Sequence, residues 1–163
     1  MRYHDITKCD LKNGDGIRVV LWVAGCEHKC PGCQNLVTWN PDDGLIFGDE
    51  TIKELMCELE KDHVSGITLS GGDPMHRWNR AVILSLCEIL KDNFPDKTIW
   101  MYTGYTYEYM KNWRILNFID VLVDGPYVES LRDVSLKWRG SSNQRVIDVK
   151  KTMELGQVVL WCD

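Results

Sequence analysis

Three cysteines stand close together in the segment Cys26-Glu-His-Lys-Cys30-Pro-Gly-Cys33. A tight loop with this spacing can bring three thiolates to one face of a metal cluster, and its proline and glycine favour a turn. Lys29 adds a positive charge that favours thiolate over thiol. Three protein ligands on a four-iron cluster leave one iron free to bind a small molecule. The loop therefore predicts an iron–sulfur site with Cys26, Cys30 and Cys33 as its ligands.

A zinc site is the alternative for the same thiols, with Cys9, His28 or Cys162 as a fourth ligand. Zinc fingers usually carry two separated Cys-x-x-Cys pairs, and this sequence has no second pair. The odd total of seven cysteines and the absence of an apolar signal region disfavour a secreted disulfide framework. Clustered cysteines in a reducing compartment more often bind metal, and we expect a cytoplasmic protein.

The segment Ser70-Gly-Gly-Asp-Pro74 is the second candidate for a ligand site. Gly71 and Gly72 let the backbone approach a ligand closely and leave its polar groups free. Asp73 adds a carboxylate that suits an ammonium group. An ordinary turn from a strand into a helix is the alternative, because proline is common in the first helical turn. The cysteine loop at the preceding strand end favours the ligand site.

The elements that must position these loops alternate between strands and helices. Apolar, β-branched runs predict six strands: 17–23, 66–70, 97–102, 118–123, 144–148 and 158–161. Amphipathic spacing predicts three helices: about 49–62, 77–93 and 107–113. This alternation indicates an α/β fold with a mostly parallel sheet of five to six strands. A closed barrel needs about 200–250 residues, so we expect an open, partial (β/α) barrel that forms one domain over residues 1–163.

The unusual loops all follow predicted strand ends. After the cysteine loop and the Gly-Gly-Asp-Pro segment come Thr103-Gly-Tyr-Thr106 and Asp124-Gly-Pro-Tyr127, behind the third and fourth strands. Active sites in parallel sheets lie at the carboxyl ends of the strands. We therefore expect Thr103 and Asp124 on the same rim as the two candidate ligand loops.

The cysteine loop, placed directly after a first strand, resembles the C-x3-C-x2-C signature of the radical S-adenosylmethionine enzymes. The Gly-Gly-Asp-Pro segment resembles the motif with which that family binds the amino group of S-adenosylmethionine. The resemblance implies a 4Fe-4S cluster whose open iron chelates this cofactor. It also implies that an electron from the cluster breaks the cofactor's C–S bond, giving a 5′-deoxyadenosyl radical that abstracts hydrogen. Thr103 and Asp124 are implied to lie near the nucleoside and the catalytic centre.

Further segments resemble the glycyl-radical-enzyme activases that serve anaerobic ribonucleotide reductases. These segments are 13–18, 38–39, 100–105, 121–125 and 138–145, so the resemblance covers about residues 3–149. It implies a glycine on the reductase large subunit as the hydrogen donor and flavodoxin as the electron donor. Four positions depart from the family: Asp15 stands where proline is usual, Gln34 stands where tyrosine is expected, and Arg77 and Trp78 replace a Pro-Gln pattern.

Charge and length limit the other functions. The 19 basic and 24 acidic residues give a net charge of −5, so we expect no bulk electrostatic grip on nucleic acid. No run approaches 18 uncharged apolar residues, so we expect no membrane span. The basic segment 130–151 is either a solvated face or a grip for an anion, with Arg139 and Arg145 as its functional candidates. A radical enzyme for a small molecule and a zinc or iron–sulfur interaction module stay open as alternatives.

Overall fold

The structure is a computed structural model that describes residues 1–161. Within these residues, seven strands form one sheet in the order β3-β1-β2-β4-β5-β6-β7. The strands are β1 (Arg2–Asp10), β2 (Ile17–Val23), β3 (Leu45–Ile46), β4 (Val64–Gly71), β5 (Thr98–Tyr102), β6 (Val121–Asp124) and β7 (Arg145–Asp148). The helices over the same residues are α1 (Asp49–Leu59), α2 (Arg80–Asn93), α3 (Tyr107–Met110) and α4 (Val149–Leu155).

The centre of the sheet is parallel and its edges are antiparallel. Strands β2, β4, β5 and β6 run side by side in the same direction. Strand β1 joins β2 antiparallel, and β7 joins β6 antiparallel. Helices α1, α2 and α3 connect the four parallel strands, as βαβ units require. The sheet keeps two free edges, so the prediction of an open α/β fold that is not closed into a barrel is confirmed.

Strands β1 and β3 and helix α4 were not predicted from the sequence, and one predicted strand is wrong. In β1 only Tyr3 and Ile6 are buried among polar neighbours, so its apolar signal is weak. The expected strand at 158–161 is a single bridge between Leu160 and Ile147. Helix α4 begins where the Asp148 carboxylate accepts the backbone N–H of Lys151, at 3.0 Å.

The two faces of the sheet differ in what covers them. Buried apolar residues of α1 and α2, such as Leu55 and Leu86, pack with alternate strand residues in the main core. The opposite face carries a smaller cluster of Trp100, Val121, Val123 and Val146. Tyr102 and Trp138 cover part of this cluster, and the rest of the face stays open toward a cavity described below.

Arg18 is fully buried against this second face. Its guanidinium donates to the Thr68 hydroxyl at 2.7 Å and to the carbonyls of Ile67 and Thr98 at 2.6 and 2.9 Å. It also lies 5.2 Å from the ring centroid of Trp100. Burial lowers the pKa of Arg18 to about 10. The charge is therefore held by neutral oxygens and an aromatic face at the end of the sheet away from the candidate site.

Among residues 1–161, no helix combines the length and the apolar character that crossing a bilayer would require.

Candidate functional site

The cysteine loop leaves the carboxyl end of β2 and is closed at its root by backbone hydrogen bonds. Gly25 N–H donates to Thr38 O at 2.7 Å, and Cys26 N–H donates to Trp39 O at 3.1 Å. Within the loop, Cys33 N–H donates to Cys30 O at 3.1 Å. All three candidate ligands are half-buried. The loop therefore presents its thiols at the sheet rim, as the sequence predicts.

Burial acts on two of these thiols. It raises the pKa of Cys26 to about 11, against a smaller opposite effect of the backbone N–H groups of His28 and Lys29. Burial also raises the pKa of Cys30, and the backbone N–H of Tyr127 lowers it in part. The stabilisation of thiolate expected from Lys29 is thus outweighed at Cys26. A metal that binds here has to displace thiol protons, as metal binding to cysteine does in general.

The donor set fits an iron–sulfur cluster better than a zinc ion. Three thiols without an accompanying imidazole are typical iron–sulfur ligands. Within residues 1–161, no three His, Cys, Asp or Glu side chains come close enough together to hold a single metal ion. A four-iron cluster is larger than one ion, so its thiolates lie farther apart than the ligands of zinc.

The two described candidates for a fourth zinc ligand lie elsewhere. Cys9 is on β1 next to Asp10, which pairs with Arg18 near the start of β2. A strand rises about 3.3 Å per residue, so Cys9 lies roughly 20 Å from the cysteine loop. His28 turns toward Asp73, with Nε2 and Oδ2 2.7 Å apart. The third candidate, Cys162, lies outside the described residues.

The Gly-Gly-Asp-Pro segment is joined to the root of the cysteine loop. Gly72 N–H donates to Val23 O, and Asp73 N–H donates to Gly25 O, both at 2.8 Å. A Cβ atom at Gly71 would lie 2.8 Å from the Val23 backbone, and one at Gly72 would lie 2.5 Å from Gly25 O. These glycines therefore permit a close approach of two backbones, a role that the sequence analysis did not anticipate. These two hydrogen bonds hold the candidate ligand loops against each other.

The Asp73 carboxylate joins three strand ends and is 1% exposed. It accepts the backbone N–H of Met75 at 2.7 Å, the Thr103 hydroxyl at 2.9 Å and the backbone N–H of Gly104 at 3.1 Å. The His28 ring approaches it off the direction of its N–H bond, so this contact is ionic when His28 is protonated. The Asp73 carboxylate beside the ring raises the pKa of His28.

Thr103 lies beside Asp73, whereas Asp124 belongs to a separate ion-pair network. Arg145 binds Asp124 through Nε at 3.0 Å and through a second, shorter contact, and it also binds Glu108 at 2.8 Å. The Asp124 carboxylate accepts the backbone N–H of Tyr107 as well. The structure thus brings Thr103 together with Gly71, Gly72 and Asp73. A role for Thr103 or Asp124 in cofactor binding stays a prediction.

A cavity of about 440 Å³ runs from the cysteine loop along the open face of the sheet. Cys33 and Ser70 border it at the rim, and Trp138 and Arg139 border it from the segment after β6. Trp138 has a φ of +57°, unusual for a residue with a side chain, and packs edge-on to Trp100 at 4.9 Å. Of the two basic candidates, Arg139 thus faces the cavity, and Arg145 is held by the carboxylates of Asp124 and Glu108.

Two polar residues of the site were missed by sequence reasoning. Asn79 is buried, and its amide donates to Ala24 O at 2.8 Å and to Asp73 O at 3.1 Å. Gln144 accepts the backbone N–H groups of Gly140 and Ser141 and so shapes the turn beside Arg139. Neither position follows a spacing that would have singled it out, because each binds backbone groups that only the fold brings near.

Comparisons with known proteins agree with this site. Residues 12–147 match the family model described as a 4Fe-4S single cluster domain. A protein of Enterobacteria phage T4 is 47% identical over 146 residues, which cover 90% of this chain and 93% of that protein. Proteins of Salmonella typhi and Escherichia coli K12 are 43% and 41% identical over 150 residues, covering 90% of this chain and 97% of each. All three are named anaerobic ribonucleoside-triphosphate reductase-activating proteins.

Proposed function

The chain belongs to the 4Fe-4S single cluster domain family and to the anaerobic ribonucleoside-triphosphate reductase-activating proteins, and on this premise we propose that it is a radical S-adenosylmethionine activase. Its substrate would be a glycine of the large anaerobic ribonucleotide reductase, converted to a glycyl radical. The cluster and its cofactor, when bound, would supply the electron and the hydrogen-abstracting radical.

One observation carries this proposal: backbone hydrogen bonds join the Gly-Gly-Asp-Pro segment to the residues at which the cysteine loop begins. Cys26, Cys30 and Cys33 would hold the cluster on one loop, and Asp73 would present its carboxylate from the other. The hydrogen bonds from Gly72 and Asp73 fix the separation of the two loops. A cofactor with an amino-acid end would then be held by the bound cluster and by Asp73 together, and these two loops would orient it.

The surroundings of the Asp73 carboxylate suit a positively charged partner. In the structure His28 lies against it, and its other partners are neutral donors. A cofactor ammonium at this carboxylate has to take the position of the His28 ring. The His28 ring packs against the backbone of Gly104. Only a glycine allows this contact, because a Cβ atom at position 104 would lie 2.4 Å from the ring. We therefore propose that Thr103 and Gly104 position Asp73 and that the cofactor ammonium displaces the His28 ring.

The open cavity suits a protein substrate. It borders Cys33 and Ser70 and continues along the uncovered face of the sheet. An extended segment of a partner chain can enter such a cleft, whereas a small-molecule radical enzyme would need further elements to enclose its substrate and exclude water. This observation favours activation of a partner over the small-molecule alternative.

The deciding experiment combines the anaerobically reconstituted protein with S-adenosylmethionine, reduced flavodoxin and the anaerobic reductase. Electron paramagnetic resonance should then show a glycyl radical on the reductase, with methionine released in step. Metal analysis of the same sample should give iron and sulfide. One tight zinc and no methionine would indicate an interaction module and overturn the proposal.

A further inference from the structure

Two separate cavities border the cysteine loop. The first, described above, is lined by Cys33 and Ser70, and the second, of about 440 Å³, is lined by Cys26 and by the segment His76–Trp78. The two cavities have no lining residue in common. A cluster held by this loop would therefore be approachable from two directions, of which the first was assigned above to the entry of the partner chain.

The rim of the second cavity has the composition of a protein-binding surface. Trp78 is 52% exposed, and the Arg77 guanidinium lies 4.8 Å from its ring centroid. The buried His76 ring supports the same indole edge-on, at 5.5 Å. Exposed tryptophan and arginine are enriched among the residues that dominate binding energy at interfaces. Arg77 and Trp78 depart from the pattern of the activases that the sequence resembles, and the proposed cofactor site does not use them.

The charge of this rim differs from that of the whole chain. The chain carries a net charge of −5, but two exposed basic residues, Lys29 and Arg77, line the second cavity. The acidic residue of the lining, Glu27, accepts the Tyr105 hydroxyl at 2.5 Å. This bond lowers the pKa of Glu27, which keeps its negative charge, so two cations against one carboxylate leave the rim with a net positive charge. A positive rim on a negative protein directs acidic partners to one place.

We propose that the surface formed by Lys29, His76, Arg77 and Trp78 docks the acidic one-electron carrier that reduces the cluster. The proposal rests on the function proposed above, which needs one electron per cofactor cleaved. The patch is small, and weak electron-transfer encounters use the smallest interfaces. A partner docked here would deliver its electron past Cys26 while the first cavity stays free for the reductase chain. The carrier loses one electron, the cluster gains it, and no bond forms or breaks.

The test uses reconstituted protein and reduced flavodoxin under anaerobic conditions. Stopped-flow absorbance follows cluster reduction in the wild type, Arg77→Glu, Trp78→Ala and Lys150→Glu. Lys150 is an exposed residue of α4 outside both cavities and provides the same charge reversal as a control. Photoreduced deazaflavin, a small reductant that needs no docking, is run in parallel. Calorimetry measures flavodoxin binding to each variant, before and after reconstitution.

We expect Arg77→Glu to slow reduction by flavodoxin about tenfold or more at low salt, with a difference that shrinks as salt rises. Trp78→Ala should weaken flavodoxin binding with little change in salt dependence. Reduction by deazaflavin, cluster content and affinity for S-adenosylmethionine should match the wild type in all variants, and Lys150→Glu should behave as wild type throughout.

Wild-type rates and flavodoxin affinity in Arg77→Glu and Trp78→Ala would overturn the docking site. Weaker binding of the reductase, with unchanged flavodoxin binding, would overturn it too, since it would assign the surface to the other partner. These failures are distinct from failure of the proposed function. In that case deazaflavin would reduce the wild-type cluster without release of methionine.

Discussion

Replacing Asp73 by asparagine separates its two roles, as the joint between strand ends and as the proposed partner of the cofactor ammonium. Asparagine keeps one oxygen for Met75 N–H and the Thr103 hydroxyl. Its amide nitrogen then faces Gly104 N–H and His28, which were bound to Oδ2. A buried donor that loses its acceptor costs about 1–3 kcal/mol, so we expect Asp73→Asn to lower the free energy of unfolding by that amount.

Cofactor affinity should fall by a comparable free energy for a different reason. Hydrogen bonds to charged groups are about twice as strong as neutral ones, and the variant removes the charge. A loss of about 1–3 kcal/mol weakens binding roughly five- to more than a hundredfold. The cluster should still assemble, because its three ligands lie in the other loop. The assay measures iron content, S-adenosylmethionine affinity and urea unfolding on one preparation.

Thr103→Val is the matched variant for this test. It removes the hydroxyl bound to Asp73 and keeps the carboxylate charge. We expect it to lower stability while reducing cofactor affinity by less than Asp73→Asn does. Wild-type cofactor affinity in Asp73→Asn with a full cluster would refute the assignment and leave Asp73 as a purely structural joint.

Three further predictions concern other parts of the molecule. Cys30→Ala should abolish the cluster absorbance and cofactor cleavage after anaerobic reconstitution, whereas Cys57→Ala, at an exposed helix position, should keep both. Arg18→Met should lower the free energy of unfolding by about 2–5 kcal/mol in urea titrations, because buried carbonyls lose their donor. Arg145 lowers the pKa of Glu108 from 4.5 to about 2, so this pair stabilises the fold above about pH 4.5 and loses that effect as pH falls toward 2. Wild type and Glu108→Gln should therefore differ by less than about 1 kcal/mol at pH 7, and the difference should vanish near pH 2.

The rim of loops could be predicted because the strands that carry it are nearly continuous apolar runs. The strand at 17–23 and the three parallel strands after it are recognisable from their apolar composition. Each is followed by one of the four loops that the sequence analysis names. Strand β1 could not be predicted in the same way. It pairs on both sides with antiparallel neighbours and buries only two of its side chains, so polar residues occupy most of its length.

The hydrogen-bond partners of the buried charged residues could not be predicted from the sequence. Arg18 lies inside an apolar run, and its acceptors come from residues about 50 and 80 positions away. Asp73 likewise meets His28 and Thr103 across 45 and 30 positions. Such contacts leave no periodic pattern, since backbone carbonyls and single hydroxyls occur everywhere in a chain. The sequence identifies Asp73 as a candidate carboxylate, but it does not show that the fold places the His28 imidazole beside it.

Arg18 fills one end of the uncovered sheet face, while the other end, at the cysteine loop, stays open. A closed barrel fills its centre with layers of side chains from all its strands. Here Arg18 reaches across the uncovered face and binds oxygens of β4 and β5 beneath Trp100. This guanidinium closes the end away from the cysteine loop without a further strand. The end at the cysteine loop is left as a cavity that Cys33 and Ser70 border, and this is the cavity that we propose a partner chain enters.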